Sequence, residues 1–218
     1  MQTFASTSPI STVVDIPAGR IQLIAADRTD TTVDVRPADA AKNRDVKAAE
    51  QTTVEYADGV LRIVTPTKHQ ILGSSGSIEV TVQLPTGSRV EATAAGAELR
   101  AVGRFGDFAF EGAQGDLKID EAATVRVDTK AGNVTIGRLN GDAEISTLQG
   151  DLTVDDAVSG TVVLTTQAGN ISVGSTASAA LDAGTTLGRV QNSLKNDGAT
   201  AVTIKATTTK GDITARGL

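Results

Sequence analysis

The chain has 218 residues, a formal net charge of −6 at pH 7, no cysteine and a single histidine, His69. These counts exclude disulfides, thiolate metal sites, cysteine nucleophiles and histidine-rich metal sites. The acidic balance argues against broad nucleic-acid binding, and no segment approaches the roughly 20 apolar residues that a membrane-spanning helix needs.

Residues typical of β-strands dominate the composition. Valine, isoleucine and threonine make up 65 of the 218 residues, and such β-branched side chains pack well on a pleated sheet. Aromatic side chains are scarce, at 2% of the chain. A core of small aliphatic residues favours a narrow β-coil over a β-sandwich, so the sequence predicts an all-β protein.

Residues 1–85 contain four of the 22 glycines and read as ordinary strands and turns. Two alternating apolar segments flank Asp58-Gly59, which predicts a β-hairpin. The segment Pro37–Gln51 is rich in Ala, Lys and Glu, and it predicts a short helix capped by Asp39. The polar segment Thr67–Ser77 is interpreted as a loop that exposes its histidine.

Residues 86–218 hold the other 18 glycines and carry a repeat. Its unit is Thr-x-x-Gly-(Asp/Asn)-apolar-x-apolar, and the spacings between its glycines are 17, 18, 19, 19 and 23 residues. The repeat glycines are Gly115, Gly132, Gly150, Gly169, Gly188 and Gly211. A second apolar pair precedes each threonine, so one period of about 18–19 residues holds two short strands. The repeat predicts a parallel β-solenoid with glycine at its turns.

The division near Pro85 predicts an N-terminal strand region that caps the solenoid, with residues 1–85 and 86–218 as two domains or as one continuous domain. The last repeat is followed directly by Arg216-Gly217-Leu218, with no dedicated cap. An uncapped solenoid end exposes unpaired backbone. We therefore expect either self-association through the ends or capping by the irregular segment Gln191–Thr200.

Several segments together carry a family resemblance: Ile16-Pro-Ala-Gly19-Arg-Ile21, Leu84-Pro-Thr-Gly87-Ser-Arg-Val90, Leu187-Gly-Arg-Val190-Gln-Asn192-Ser-Leu194 and Lys210-Gly-Asp-Ile213, with the Gly-Asp repeats between them. In the order and spacing of these segments, the chain resembles a bacterial adhesin-like family of unknown function, which is related to the toast-rack domains. The resemblance spans nearly the whole chain. It implies a right-handed β-helix-like fold and no established activity.

Five aspartates follow glycines and are the weak candidates for a calcium site: Asp107, Asp116, Asp142, Asp151 and Asp212. Stacked on successive coils, they could bring carboxylates together, which calcium prefers. Calcium-binding β-rolls, however, carry a denser Gly-Gly-x-Gly-x-Asp repeat. The favoured interpretation is structural, with each side chain bonding its own turn backbone, and no metal or cofactor is predicted.

The threonine column of the repeat has two interpretations. Stacked hydroxyls could line a ligand face, but a hydrogen-bonded ladder beside the turn is favoured. Phe105, Phe108 and Phe110 form an aromatic cluster. We expect Phe108 and Phe110 to point into the core and Phe105 to point elsewhere, with a partner-binding patch as the alternative.

The sequence as a whole predicts a non-enzymatic binding or structural module, adhesin-like, that contacts protein partners or itself through solenoid faces and ends. The alternative is a carbohydrate-binding or carbohydrate-active β-helix, with calcium dependence as an option. Paired acids such as Asp155-Asp156 have no arginine or histidine placed beside them by the sequence, so catalysis is not expected. Without a recognisable signal peptide the expected location is cytoplasmic, or secreted or at the cell surface if the N-terminus has been trimmed.

Overall fold

A computed structural model describes residues 1–66 and 76–218. His69 and most of the segment interpreted as a loop, Thr67–Ser77, lie outside the described residues. The described residues form one helix, α1 (Asn43–Gln51), and otherwise strands and turns. The strands are β1 (Gln2–Ala5), β2 (Ser11–Ala26), β3 (Asp30–Pro37), β4 (Thr53–Ala57), β5 (Val60–Val64), β6 (Ile78–Pro85), β7 (Arg89–Gln114), β8 (Leu117–Ala131), β9 (Val134–Leu139), β10 (Ala143–Gln149), β11 (Leu152–Ala157), β12 (Gly160–Ala168), β13 (Ile171–Ser175), β14 (Ala179–Leu187), β15 (Val190–Ser193), β16 (Val202–Lys210) and β17 (Ile213–Gly217).

The predicted all-β solenoid is confirmed. Successive coils stack in parallel, and each coil contributes one strand to each of two faces. On the first face β8, β10 and β12 pair in this order, and on the second face β9, β11 and β13 do so. The right-handed winding stays an expectation from the resemblance.

The parallel register aligns like residues from coil to coil. Val127 pairs with Ile145, which pairs with Leu164, and all three are buried. Because alternate residues of a strand point to opposite faces of the sheet, each coil adds one inward layer of aliphatic side chains. The coils therefore share a continuous core.

Strands from the two sides of Pro85 pair directly. The long strand β2 pairs in parallel with β6 and β7, and its first residues pair with β5. It bends at Gly19, where the backbone φ is +133°. Residues 11–26 thus already form a coil of the same stack.

The N-terminal end of the stack is finished by antiparallel strands and by α1. Strand β4 pairs with β5 around Asp58 and Gly59, both at positive φ, so the predicted hairpin is confirmed. On the second face, β1 and β6 flank β3, both antiparallel to it. The rings of Phe4 and Tyr56 lie 5.2 Å apart and join β1 to β4 across this end.

The predicted short helix is confirmed as Asn43–Gln51, but its predicted cap is wrong. Lys42 occupies the position before the first helical residue and makes no side-chain cap hydrogen bond. Asp39 instead accepts a hydrogen bond from the N–H of Ala41 at 2.9 Å, in the turn before the helix. The helix is fixed by its packing against β3 and β6, where Ala48 is buried.

The aromatic cluster departs from the expected alternation. Phe105, Phe108 and Phe110 are all buried, and the first two rings meet edge to face with centroids 5.7 Å apart. The prediction that Phe105 points elsewhere is wrong because two outward positions, Gly106 and Asp107, separate it from Phe108, so the inward-outward alternation restarts between the two rings. Three buried rings cannot form a surface patch.

The last coils do not stack in chain order, in contrast to the expectation that the tail forms the last coil. Strand β16 pairs with β12 on one side and with β14 on the other. Strand β17 likewise lies between β13 and β15. We call β16 with β17 the inserted coil and β14 with β15 the end coil, because the latter lies at the end of the stack.

Candidate functional site

The open end of the solenoid is formed by the end coil. Among the described strands, β14 pairs only with β16, and β15 pairs only with β17. Each of these strands therefore has one edge whose backbone N–H and C=O groups face away from the stack. Such an edge is a template for pairing with another strand.

Apolar side chains that are buried in other coils are exposed at the open end. Val190 aligns with Ile213 and, one coil further in, with Ile171. The two isoleucines are 1% exposed, whereas Val190 is 45% exposed. Leu187 aligns with the exposed Lys210, outside the core rows, and at 65% exposure it adds a second apolar side chain to this end. The end coil thus presents part of the core strip to its surroundings.

The edge strands of the end coil contain few charged residues that would oppose pairing with a strand of another molecule. Strand β14 contains one charged residue, Asp182, and strand β15 contains none. Natural sheet edges are commonly protected by lysine, proline or a bulge that turns the edge away. Neither lysine nor proline occurs in these two strands.

The segment 194–201 covers only part of this end, so capping by the irregular segment is incomplete. The carbonyl of Lys195 accepts a hydrogen bond from the N–H of Ala179, at 2.9 Å, and Leu194 packs against the core. Gln191, expected in this irregular segment, lies in strand β15. Leu187 and Val190 remain uncovered.

The repeat glycines lie at the turn between the two faces, and Gly150 shows why glycine is needed there. Its φ is +145°, and a Cβ built on it would lie 2.0 Å from the carbonyl oxygen of Gly132 on the neighbouring coil. Gly132 has the same relation to Gly115, at 2.1 Å. Gly169, Gly188 and Gly211 repeat this contact along the stack.

The residues after these glycines form a ladder of hydrogen bonds between coils. The Oδ1 of Asp151 accepts the N–H of Asn170 at 2.7 Å, and the Oδ1 of Asn170 accepts the N–H of Asp212 at 2.9 Å. Asp212 accepts the N–H of Arg189 at 2.9 Å. Asp116 and Asn133 begin the same ladder. The expected bond to the residue's own turn is therefore wrong, since each side chain bonds the next coil.

The two other calcium candidates also bond across coils. Asp142 accepts the N–H of Thr161 at 2.7 Å, and Asp107 accepts the hydroxyl of Thr124 at 2.9 Å. Asp107 also pairs with Arg89 at 2.8 Å. Within residues 1–66 and 76–218, no three His, Cys, Asp or Glu side chains come together as a set that could hold a metal ion.

The threonine column faces inward. Thr147, Thr166 and Thr208 are 2–3% exposed. The hydroxyl of Thr166 donates to the carbonyl of Gly150 at 3.1 Å, and that of Thr208 donates to the carbonyl of Gly169 at 3.0 Å. The hydroxyl of Thr147 donates to the carbonyl of Gln149 in its own strand, at 3.3 Å. These three inward side chains cannot line a ligand face.

A shallow groove of about 420 Å³ crosses the first face, and four of the charged residues that line it form two ion pairs. Arg126 contacts Glu144 at 2.7 Å beside the pair of Arg89 and Asp107. Among the described carboxyls, Asp39 and Asp197 have pKa values lowered by hydrogen bonds. The pKa of Asp30 is also lowered, chiefly because the guanidinium of Arg28 donates a hydrogen bond to it. That pair lies at the N-terminal end and outside the groove's lining.

No described helix is both long and apolar enough to cross a membrane.

Comparison with known proteins places this chain in a family. The family model Toastrack DUF4097 matches residues 12–217. The chain belongs to the Toastrack DUF4097 family. This membership confirms the toast-rack resemblance of the sequence and agrees with the observed solenoid. No curated protein matches the chain.

Solved structures are similar over almost the full length of the chain. A candidate cell adhesion protein from Clostridium sporogenes is 11% identical, with 100% of this chain and 98% of that chain covered and a TM-score of 0.38. A candidate adhesin from Bacteroides fragilis is 12% identical, with 100% and 95% covered and a TM-score of 0.44. A candidate lipid binding protein from Parabacteroides distasonis is 10% identical, with 98% and 95% covered and a TM-score of 0.41. Identities of 10–12% and TM-scores of 0.38–0.44 carry no information about the function of this Toastrack chain.

Sequence reasoning missed the residues that mark the open end, although the sequence carries a signal for them. The repeat at Gly188 has Arg189 where the other copies have Asp or Asn, and terminal repeats of a solenoid are commonly atypical. Asn192 occupies a row that holds Ala215 and Val173 in the coils further in. Both departures identify the end coil.

Proposed function

We propose that this Toastrack domain is a non-enzymatic structural and binding module that self-associates through its open end. The observation that carries the proposal is the unpaired edge of β14 and β15 beside the exposed Leu187 and Val190. If strands of another molecule paired with this edge, its unpaired N–H and C=O groups would form hydrogen bonds. The same contact would bury apolar surface. The ion pairs of Arg89 with Asp107 and of Arg126 with Glu144 in the groove support a non-enzymatic role.

The two ends of the solenoid differ, which favours a closed dimer. The N-terminal end is finished by antiparallel strands, α1 and the contact between Phe4 and Tyr56. The open end presents exposed core residues, so an open end pairs best with a second open end. Such an arrangement has two-fold symmetry and stops at two copies, whereas a head-to-tail arrangement would continue as a fibre.

The test is light scattering coupled to size exclusion over a range of protein concentrations. Val190→Lys places a charge on the open end, and a two-fold contact would bring two such charges together. We expect a dimer whose dissociation constant rises more than tenfold in this variant. Leu148→Lys is the matched control, because Leu148 is 48% exposed in β10, away from the end. A wild type that stays monomeric, or equal effects of both variants, would contradict the proposal.

The carbohydrate-binding alternative is tested by the same experiment with and without calcium. We expect the dimer to be insensitive to calcium, because the five candidate aspartates already bond neighbouring coils. A monomer stabilised by calcium would favour the alternative. A glycan-binding screen would then be the next measurement.

A further inference from the structure

We propose that the position of the inserted coil can be filled by the same coil of a second copy, so that two molecules can be linked by exchange of β16 and β17. This inference goes beyond contact at the open end. It rests on the interleaved order of the last coils, in which β16 lies between β12 and β14 and β17 lies between β13 and β15.

The inserted coil carries its own apolar strip and makes repeat-like contacts. Val202, Ile204 and Ala206 of β16 are 0% exposed, and Ile213 and Ala215 of β17 are 1% exposed. Its pairing with the coils on either side is parallel and in register along both strands. A second copy's β16 and β17 have the same sequence and would make the same contacts.

The end coil depends on the inserted coil. Among the described strands, β14 and β15 have no strand partner other than β16 and β17. While the inserted coil is out of place, the edge of β12 and β13 is open and the end coil is undocked. In that state the chain's own coil and a neighbouring molecule's coil compete for one position.

The connection between the two coils is suited to exchange. Residues 194–201 join β15 to β16, and apart from the half-buried Leu194 they are exposed. Two of their hydrogen bonds are local, from the N–H of Gly198 to Asn196 and from that of Ala199 to Asp197. Eight extended residues reach about 26 Å, which is enough to cross to an adjacent molecule.

Simple competition sets the conditions for exchange. A short flexible connection gives the chain's own coil an effective concentration of about 1 mM. Below that concentration the chain's own coil fills the position in most molecules. The exchanged fraction then rises in proportion to the protein concentration at which the molecules fold, about tenfold for each tenfold increase.

The experiment uses the full chain, whose lack of cysteine allows clean placement of single thiols. Ser172 of β13 and Thr214 of β17 are register partners with partly exposed side chains. Copies with Ser172→Cys are mixed with copies with Thr214→Cys, unfolded, refolded at several concentrations and treated with a short thiol cross-linker. A mixture of Thr153→Cys and Ser172→Cys copies, which places thiols on the sequentially stacked β11 and β13, is the matched control.

We expect a cross-linked heterodimer from the first mixture, rising about tenfold when the refolding concentration rises tenfold, and far less from the control. The chain with both Ser172→Cys and Thr214→Cys should cross-link within itself after refolding at low concentration. If that chain cross-links internally but the mixture gives no heterodimer at any concentration, exchange is refuted. If Ser172→Cys cross-links instead with Gln191→Cys in one chain, the coils stack in chain order and the proposal fails. Dimers formed at the open end keep these thiols several coils apart, so the result does not depend on the proposed function.

Discussion

The glycine turn offers the sharpest test of how this solenoid is held together. Gly150→Ala adds a Cβ that would lie 2.0 Å from the carbonyl oxygen of Gly132 and 2.6 Å from its carbonyl carbon. The residue also has a φ of +145°, a conformation that side chains other than glycine rarely adopt. Backbone strain of this kind costs about 1–3 kcal/mol.

Relief of the clash adds to that strain. The neighbouring coil would have to move by more than 1 Å to reach an ordinary contact, and overpacking of this order costs about 1–3 kcal/mol. We therefore expect Gly150→Ala to lower the free energy of unfolding by roughly 2–6 kcal/mol, a large share of the roughly 5–15 kcal/mol of a typical domain.

Urea denaturation followed by circular dichroism measures this loss. Gly96→Ala is the control, because no heavy atom lies within 4 Å of its added Cβ and its φ is not in the positive region. The control should stay within about 0.5 kcal/mol of the wild type. A Gly150→Ala variant that is equally stable would refute the steric account of the repeat.

Two further predictions concern hydrogen bonds between side chains and their partners. Asn170→Ala removes the acceptor for the N–H of Asp212, and we expect a loss of about 1 kcal/mol in the same urea assay. A change below about 0.3 kcal/mol would show that the ladder contributes little. Asp30 has a pKa below its ordinary value of 3.8 because of Arg28, so its contribution to stability is present above that pH and is lost as the pH falls through the folded-state pKa. In acid denaturation, Asp30→Asn should flatten the decline in stability below about pH 4, and an unchanged slope would contradict this.

The solenoid could be predicted from the sequence because its strongest constraints are local and repeated. Each glycine turn requires the same backbone geometry, as Gly150 and Gly132 show, and each strand alternates inward and outward residues. Such constraints appear in the sequence at a fixed period. The hairpin at Asp58 and Gly59 was predictable for the same reason, since the turn itself selects its residues.

Other features depended on contacts between distant parts of the chain. The inward position of both Phe105 and Phe108 follows from a break in the alternation at Gly106 and Asp107, which strict alternation does not indicate. The hydrogen bonds of Asp151 and Asn170 cross to another coil, whereas sequence reasoning assigned such side chains to their own turns. In each case the residue type was informative, and the partner was not local.

The order of the last coils follows from residues that depart from the repeat. Asn192 shares a row with Ala215 and Val173, whose side chains are buried. If β14 and β15 occupied the inner position, the side chain of Asn192 would be buried in the same way. A buried amide without partners costs about 1–3 kcal/mol. Arg189 would also interrupt the ladder, because its side chain has no oxygen to accept the next coil's N–H.

At the end of the stack neither departure costs stability. Asn192 is exposed there and accepts a hydrogen bond from the N–H of Leu194 at 3.0 Å. Arg189 donates its own N–H to Asp212, and no described coil lies beyond it to need an acceptor. A repeat that has lost both its ladder acceptor and an apolar inward residue is stable only at an end, whatever its place in the chain. The same two residues therefore keep the end coil outside, leave the inner position to β16 and β17, and create the open edge through which we expect two molecules to meet.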